Sequence, residues 1–340
     1  MNKRHTMTAA TLTLNPSLDR TMYFDRAFEA GELNRASAPS VLTLGSKGIN
    51  VTRAWAAMGV SAPAYVFSGG KNGLLMEEML DGEGMPYVSV ATEAETRMNI
   101  KMIAPGGICT EANERGGPIT EAELKAMLDA IESGVRLSTT HPQHPFSDPE
   151  NRQNTPSPAI KYMALGGSIP QGVDTAVYNS ITRLCNSCGV RVLLDCDGNA
   201  LKEGIKAKPF LIKPNLYELS GLVGHYVTEP EEAVGICRKL SVESGVNILC
   251  TMSEKGALWA SDGRVWRARS PQGLTVRGFT GAGDTFLAAF TWKFDETGDP
   301  AEALRFASSA SAFKITLPGS QIPTLSEMEH YLDAVSVEEV

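Results

Sequence analysis

No run of about 20 apolar residues occurs anywhere in the 340-residue chain, so no segment has the composition of a membrane-spanning helix. Basic residues are in deficit. The 31 Lys and Arg against 39 Asp and Glu give a net charge of -8, which argues against a nucleic acid or an anionic membrane surface as partner. The six cysteines, at 109, 185, 188, 196, 237 and 250, lack the spacing of a secreted disulfide framework and read as reduced core thiols. Cys185-x-x-Cys188 has no second pair at zinc-ribbon spacing, so it is assigned no metal or redox role. There is also no internal repeat at a period of about 20 to 50 residues and no composition shift that would split the chain. These absences lead to an expectation of one cytoplasmic domain acting on a small anionic ligand.

What is present fits an α/β protein. A hydrophobic content of 42% is enough for a sizeable core, and 32 glycines suit a fold with many strand-to-helix turns. Thr11–Leu14 reads as a first strand, and a helical pattern through Ile49, Arg53, Ala54, Ala57 and Met58 leads to a second apolar run at Gly59–Val66. Thr120-Glu121-Ala122-Glu123 is a capping box opening a helix expected to stop near Gly134. Strands are then expected at Lys161–Leu165, Val190–Leu194, Pro209–Ile212 and Asn247–Thr251, with helices at Asp174–Cys188, Asn215–Leu222 and Glu229–Leu240. Such alternation predicts a largely parallel sheet covered by helices. Polar, alternating segments at about 20–40 and 95–117 predict a small separate β-sheet suited to a lid, and the Pro-, Asn- and Gln-rich run 141–158 reads as a flexible insertion.

The chemistry concentrates in Gly-rich turns. Gly281-Ala282-Gly283-Asp284 precedes an apolar helical run, so its amides meet at a helix start, where unpaired donors and the dipole attract phosphate. A carboxylate in that turn would repel phosphate but suits a base acting on an attacking hydroxyl. It is also simply favourable to the helix dipole. Asn15-Pro16-Ser17-Leu18-Asp19 offers an amide and a carboxylate suited to sugar hydroxyls, although an ordinary Asn-Pro turn with a solvated Asp has the same sequence. Gly45-Ser46-Lys47-Gly48-Ile49-Asn50 is another helix-opening turn, without Walker A spacing. Arg97, Asn99 and Lys101 alternate on one strand face, with Arg35 in the other lid segment. Gly166-Gly167-Ser168 and Lys213-Pro214-Asn215 both follow strands, where open α/β sheets bind ligands. Asn215 with Glu218 is equally well a capping box.

In order and separation, from about residue 11 to 320, these motifs resemble the PfkB (ribokinase-like) carbohydrate kinases. The similarity is to their phosphosugar branch, which contains 1-phosphofructokinase, tagatose-6-phosphate kinase and the minor 6-phosphofructokinase. The resemblance implies a three-layer α/β/α sandwich with a mostly parallel central sheet and a small β-sheet lid through which a homodimer often forms. It implies ATP and Mg²⁺ as cofactors, and a phosphosugar as substrate. Asp284 matches the catalytic base and Gly281, Ala282 and Gly283 the anion hole. Asn15, Asp19, Gly45 and Asn50 fall at the sugar, while Arg97, Ser168, Lys47 and Arg35 fall where its existing phosphate is held. Lys213, Asn215, Glu218, Thr251, Ser253, Gly256 and Thr280 fall on the nucleotide side, with Asn215 and Glu218 near the metal, through water. The chain departs from the family pattern at Gly45-Ser46, where two glycines are usual, at Gly278-Phe279-Thr280, and at Thr251-Met252-Ser253. The implied activity is phosphorylation of a ketohexose monophosphate, fructose 1-phosphate first, then tagatose 6-phosphate or fructose 6-phosphate. An unphosphorylated sugar or nucleoside, or a non-catalytic sugar-phosphate sensor, are the further readings.

Overall fold

A computed structural model describes residues 7–140 and 160–340. The expected insertion at 141–158 lies outside them. Along the chain the strands are β1 (Ala9–Thr13), β2 (Ser17–Tyr23), β3 (Val41–Leu44), β4 (Ala64–Gly69), β5 (Tyr87–Thr92), β6 (Arg97–Ile103), β7 (Cys109–Asn113), β8 (Tyr162–Gly166), β9 (Arg191–Asp195), β10 (Leu211–Ile212), β11 (Asn247–Thr251), β12 (Ala257–Ser261), β13 (Arg264–Arg269) and β14 (Ser336–Glu339). The α-helices are α1 (Lys47–Ala57), α2 (Gly70–Gly82), α3 (Glu121–Thr140), α4 (Val177–Ser187), α5 (Gly198–Gly204), α6 (Leu216–Val223), α7 (Pro230–Ser244), α8 (Ala282–Thr297), α9 (Pro300–Lys314) and the short α10 (Leu325–Met328).

Ten strands form one sheet in the order β14-β13-β12-β11-β10-β9-β8-β1-β4-β5, parallel from β11 to β5 and antiparallel beyond β11. Central strands β1, β4 and β8 are buried along their whole length because helices cover both faces. On one face Met127, Ile131 and Val135 of α3 and Tyr178, Ile181 and Cys185 of α4 pack against Leu12, Tyr65 and Leu165. On the other, Trp55 of α1, Phe286 and Phe290 of α8 and Leu304 of α9 pack against Tyr162, Leu193 and Trp259. Four of the six free thiols are buried, at 185, 196, 237 and 250, and Cys109 is exposed.

The small sheet has the order β3-β2-β6-β7. Its root is anchored in the body: Leu18 and Leu44 share a core cluster with Ile49, Val66 and Met76. Two boundaries differ from expectation. The first lid segment pairs as Ser17–Tyr23 and Val41–Leu44, with residues 24–40 forming the connection rather than the strand. The supposed turn at Asn15–Asp19 is therefore already strand from Ser17 onward. Helix α3 also runs through Gly134 to Thr140. The glycine marks a close approach and no stop: a Cβ there would sit 2.0 Å from the Tyr65 hydroxyl.

Candidate active site

The site lies at the carboxyl ends of the parallel strands, closed over by the small sheet. Gly281 adopts φ 76° as the residue capping α8, a conformation that favours glycine, and no side chain caps the helix start. Ala282 donates its amide to Phe279 O at 3.1 Å, whereas among the described residues no backbone carbonyl accepts from Gly281 or Gly283. Asp284, in the first turn, is buried at 7% exposure. Its Oδ2 accepts from Asn50 Nδ2 at 2.8 Å. Burial, then the nearby Asp195 charge, raise its pKa to about 6, against the lowering pull of Lys47, Asn50 and Lys213. The Asn50 Oδ1 atom is buried without a hydrogen-bond partner among the described residues.

A second cluster surrounds Asp195, which sequence reasoning did not single out. It ends β9, fully buried, with Lys47 Nζ 2.6 Å from Oδ1 and Lys213 Nζ 3.0 Å from Oδ2. The Lys47 contact is a hydrogen bond; the Lys213 contact is an ion pair outside good hydrogen-bond geometry. Burial opposes the Asp195 charge, but the two lysines outweigh it and its pKa is lowered. Lys47 in turn is pulled upward by Asp195 and Glu218 despite its own desolvation. Lys213 Nζ also lies 3.4 Å from where a Gly283 Cβ would be, so an ammonium sits directly beside the α8 turn.

Asn215 and Glu218 form the reciprocal capping box of α6, each accepting from the other's amide at 2.8 Å. That uses Glu218 Oε2 and leaves Oε1 facing Lys47 Nζ at 3.9 Å. Burial raises the Glu218 pKa, with Lys47 opposing it. Thr251 joins this cluster through its amide bond to Pro214 O at 3.0 Å. Ser253 and Gly256 flank a short turn beyond it; Gly256 has φ 101° and a Cβ there would lie 1.9 Å from Ala268 O, which gives this glycine a packing role.

The lid contributes a third group. Register places Asp19 opposite Asn99 and Ser17 opposite Arg97 on neighbouring parallel strands. Asp19 Oδ1 accepts from Asn99 and Ser17, and Oδ2 pairs with Lys101 Nζ at 2.7 Å. Lys101 continues to Thr280 Oγ1 at 3.1 Å, linking the lid to the residue before the Gly281–Asp284 turn. Gly45 is needed for this packing, since a Cβ would lie 2.3 Å from Asp19 Oδ1. The next residue, Ser46, holds φ 84°, an unfavourable value for a side-chain-bearing residue, and its Oγ accepts from Ser17 N at 2.8 Å. Asn15 Nδ2 donates to Ser168 Oγ and Arg115 O, both at 3.0 Å. Arg97 is spent on Asn15 O, Glu114 O and Asn99 Oδ1, and burial lowers its pKa. Arg97, Lys47 and Lys101 are therefore each engaged by other residues of the protein. Arg35 is exposed on the 24–40 connection, with no hydrogen bond or ion pair to the other site residues among those described. A separate cleft of about 330 Å³, lined by Arg53, Glu83 and Gln321 among others, shares none of these side chains.

A three-layer α/β/α body with a small lid sheet over a Gly-Ala-Gly-Asp helix turn is the ribokinase-like fold. The family model for pfkB family carbohydrate kinases matches residues 142–327, and the chain belongs to that family. A 1-phosphofructokinase of Bacillus subtilis is 31% identical over 306 residues, covering 89% of this chain and 92% of that protein. One from Haemophilus influenzae is 28% identical over 333 residues, covering 96% and 97%. A crystal structure described as a possible 1-phosphofructokinase from Thermotoga maritima superposes with a TM-score of 0.83 at 24% identity, covering 98% of this chain and 99% of that one.

Proposed function

We propose that this kinase transfers the γ-phosphoryl group of ATP to a ketohexose monophosphate, fructose 1-phosphate before tagatose 6-phosphate or fructose 6-phosphate. The observation that carries the reading is the buried Asp284 carboxylate, raised to a pKa of about 6 chiefly by that burial, in the first turn of α8 directly after Gly281-Ala282-Gly283. That value makes it charged at neutral pH, yet basic enough to accept a proton from the attacking hydroxyl. The Gly281 and Gly283 amides and the neighbouring Lys213 ammonium are suited to the charge that develops on the transferred group. Asp19 and Asn50 are placed to hold sugar hydroxyls, and the unpartnered Asn50 Oδ1 supports this because a hydroxyl would supply its missing donor. Asn15, Gly45, Arg97, Ser168 and Lys47 complete the acceptor side in this reading. Thr251, Ser253, Gly256 and Thr280 line the donor side.

The donor set suits Mg²⁺ of a particular kind. Among the described residues no three His, Cys, Asp or Glu side chains gather around a possible ion. Asp195 is occupied by two lysines, and Glu218 Oε1, with Asn215, would supply protein oxygens to the ion. Mg²⁺ held largely by phosphates and water fits such a sparse site. When bound, it would neutralise phosphate charge. Exposed Leu33, Val41 and Ile108 on the lid, at 68%, 47% and 64%, support a homodimer formed through that sheet.

Coupled ADP release over a panel of sugar phosphates and free sugars tests the assignment. Turnover is expected with ketohexose monophosphates, fructose 1-phosphate having the highest kcat/KM. Binding of phosphosugars with no ADP formed from any would favour the sensor, and equal turnover of unphosphorylated sugars would overturn the phosphosugar assignment.

A further inference from the structure

A lysine that no motif marks lies beneath the catalytic turn. Lys314, in the last turn of α9, has 0% exposure, which is rare for a lysine, and among the described residues it has no carboxylate contact. Its Nζ donates to Gly319 O at 2.9 Å. Its Cε lies 3.6 Å from where a Gly281 Cβ would be. The backbone around it ties two loops together: Arg277 and Gly278 donate their amides to Ile315 O, and Ser311 Oγ donates to Ala282 O. The 277–282 segment is thus seated on the end of α9, with the Lys314 ammonium at the seam. The negative end of the α9 dipole favours a cation there.

We infer that Lys314 is a positioning residue for phosphoryl transfer: its buried ammonium, held by Gly319 O, fixes the Gly281 turn so that the turn's amides point at the transferred group. The inference rests on the kinase reading above. A buried charge of this kind is costly, so it persists where the turn it supports is used. The charged groups facing Lys314 are Arg53 on α1, Lys101 on β6 and Asp284 on α8. Burial lowers the Lys314 pKa to about 8, the first two cations push the same way, and Asp284 opposes them. The ammonium form, and with it the shape of the turn, is therefore present at neutral pH and lost on titration through about pH 8.

The test compares wild type with Lys314→Met, which keeps the chain length and removes the charge, in kcat, sugar KM, melting temperature and the pH profile of kcat. Loss of kcat by about tenfold to a hundredfold, with sugar KM within about threefold, is expected from a misdirected turn. The variant's melting temperature should hold or rise, and the wild-type fall in kcat near pH 8 should vanish from its profile. Unchanged kcat, or a lowered melting temperature with unchanged kcat per folded molecule, would reduce Lys314 to a packing residue. Should the variant fail to fold, wild type alone decides: a kcat that is flat through pH 8 overturns the inference. Wild type inactive toward every sugar phosphate would instead sink the kinase reading, so the two failures are distinguishable.

Discussion

At Asp284 the proposed base role and stability pull apart on one side chain. Its pKa rises from 3.8 when unfolded to about 6 in the fold, so the native state binds more protons between those values and stability falls as pH rises through them. Above pH 6 the full cost is present, on the order of 3 kcal/mol for a shift of this size. Asp284→Asn is expected to raise stability by that order at neutral pH and to leave it nearly unchanged below pH 3.8, as read by denaturant unfolding at both. Gly45 shows the opposite economy, with no side chain at all. Gly45→Ala would put a methyl group 2.3 Å from Asp19 Oδ1 and force the carboxylate off Asn99 and Lys101. Sugar KM is expected to rise about tenfold or more, since small displacements in a positioned site are expensive. The Gly-rich turns and Asp284 were legible in the sequence because their chemistry is local. Asp195 was not, because an Asp closing an apolar strand gains its meaning only when Lys47, 148 positions away, folds onto it. Lys314 was hidden for a similar reason: within a helical run it has the look of any surface lysine.

Among the elements, strand and helix alternation gave the layers directly, whereas glycine gave mixed signals. Gly134 reads as a helix stop, yet α3 passes through it because Tyr65 from β4 presses its hydroxyl against the helix backbone. Gly134→Ala is expected to destabilise by about 1–3 kcal/mol in urea unfolding, although alanine is the better helix former. A stabilised variant would show that Tyr65 moves aside without cost. The β12–β13 hairpin carries a clear local signal that the alternation argument passed over: Asp262-Gly263, both with positive φ at 48° and 80°, the pairing that two-residue hairpin turns prefer. The lid strands were located but shifted. Their polar inner face was plain, while the start of β2 was obscured by Asn15-Pro16, which has the composition of a turn.

For the molecule as a whole, the body supplies rigid strand ends and the small sheet supplies a cover, joined where Lys101 reaches Thr280. If the Gly281–Asp284 turn holds the transferred group as proposed, a lid bonded beside it at Thr280 would keep water away once substrate is held. Val41 on that sheet and Leu33 and Ile108 on its connecting loops are exposed, and a dimer through this face would bury them. Sedimentation is expected to give a dimer for wild type and a monomer for Leu33→Glu combined with Ile108→Glu; a wild-type monomer would remove the lid from the assembly. Net charge and family likeness bear on neither result, which depends on how the two lid faces fit.

The base assignment is tested most directly by single-turnover phosphoryl transfer with Asp284→Asn at saturating ATP and fructose 1-phosphate, beside nucleotide binding to the same protein. A rate lower by about 10² to 10⁴ with nucleotide affinity unchanged is the expected result. A rate near that of wild type would contradict it and move the proton to another group.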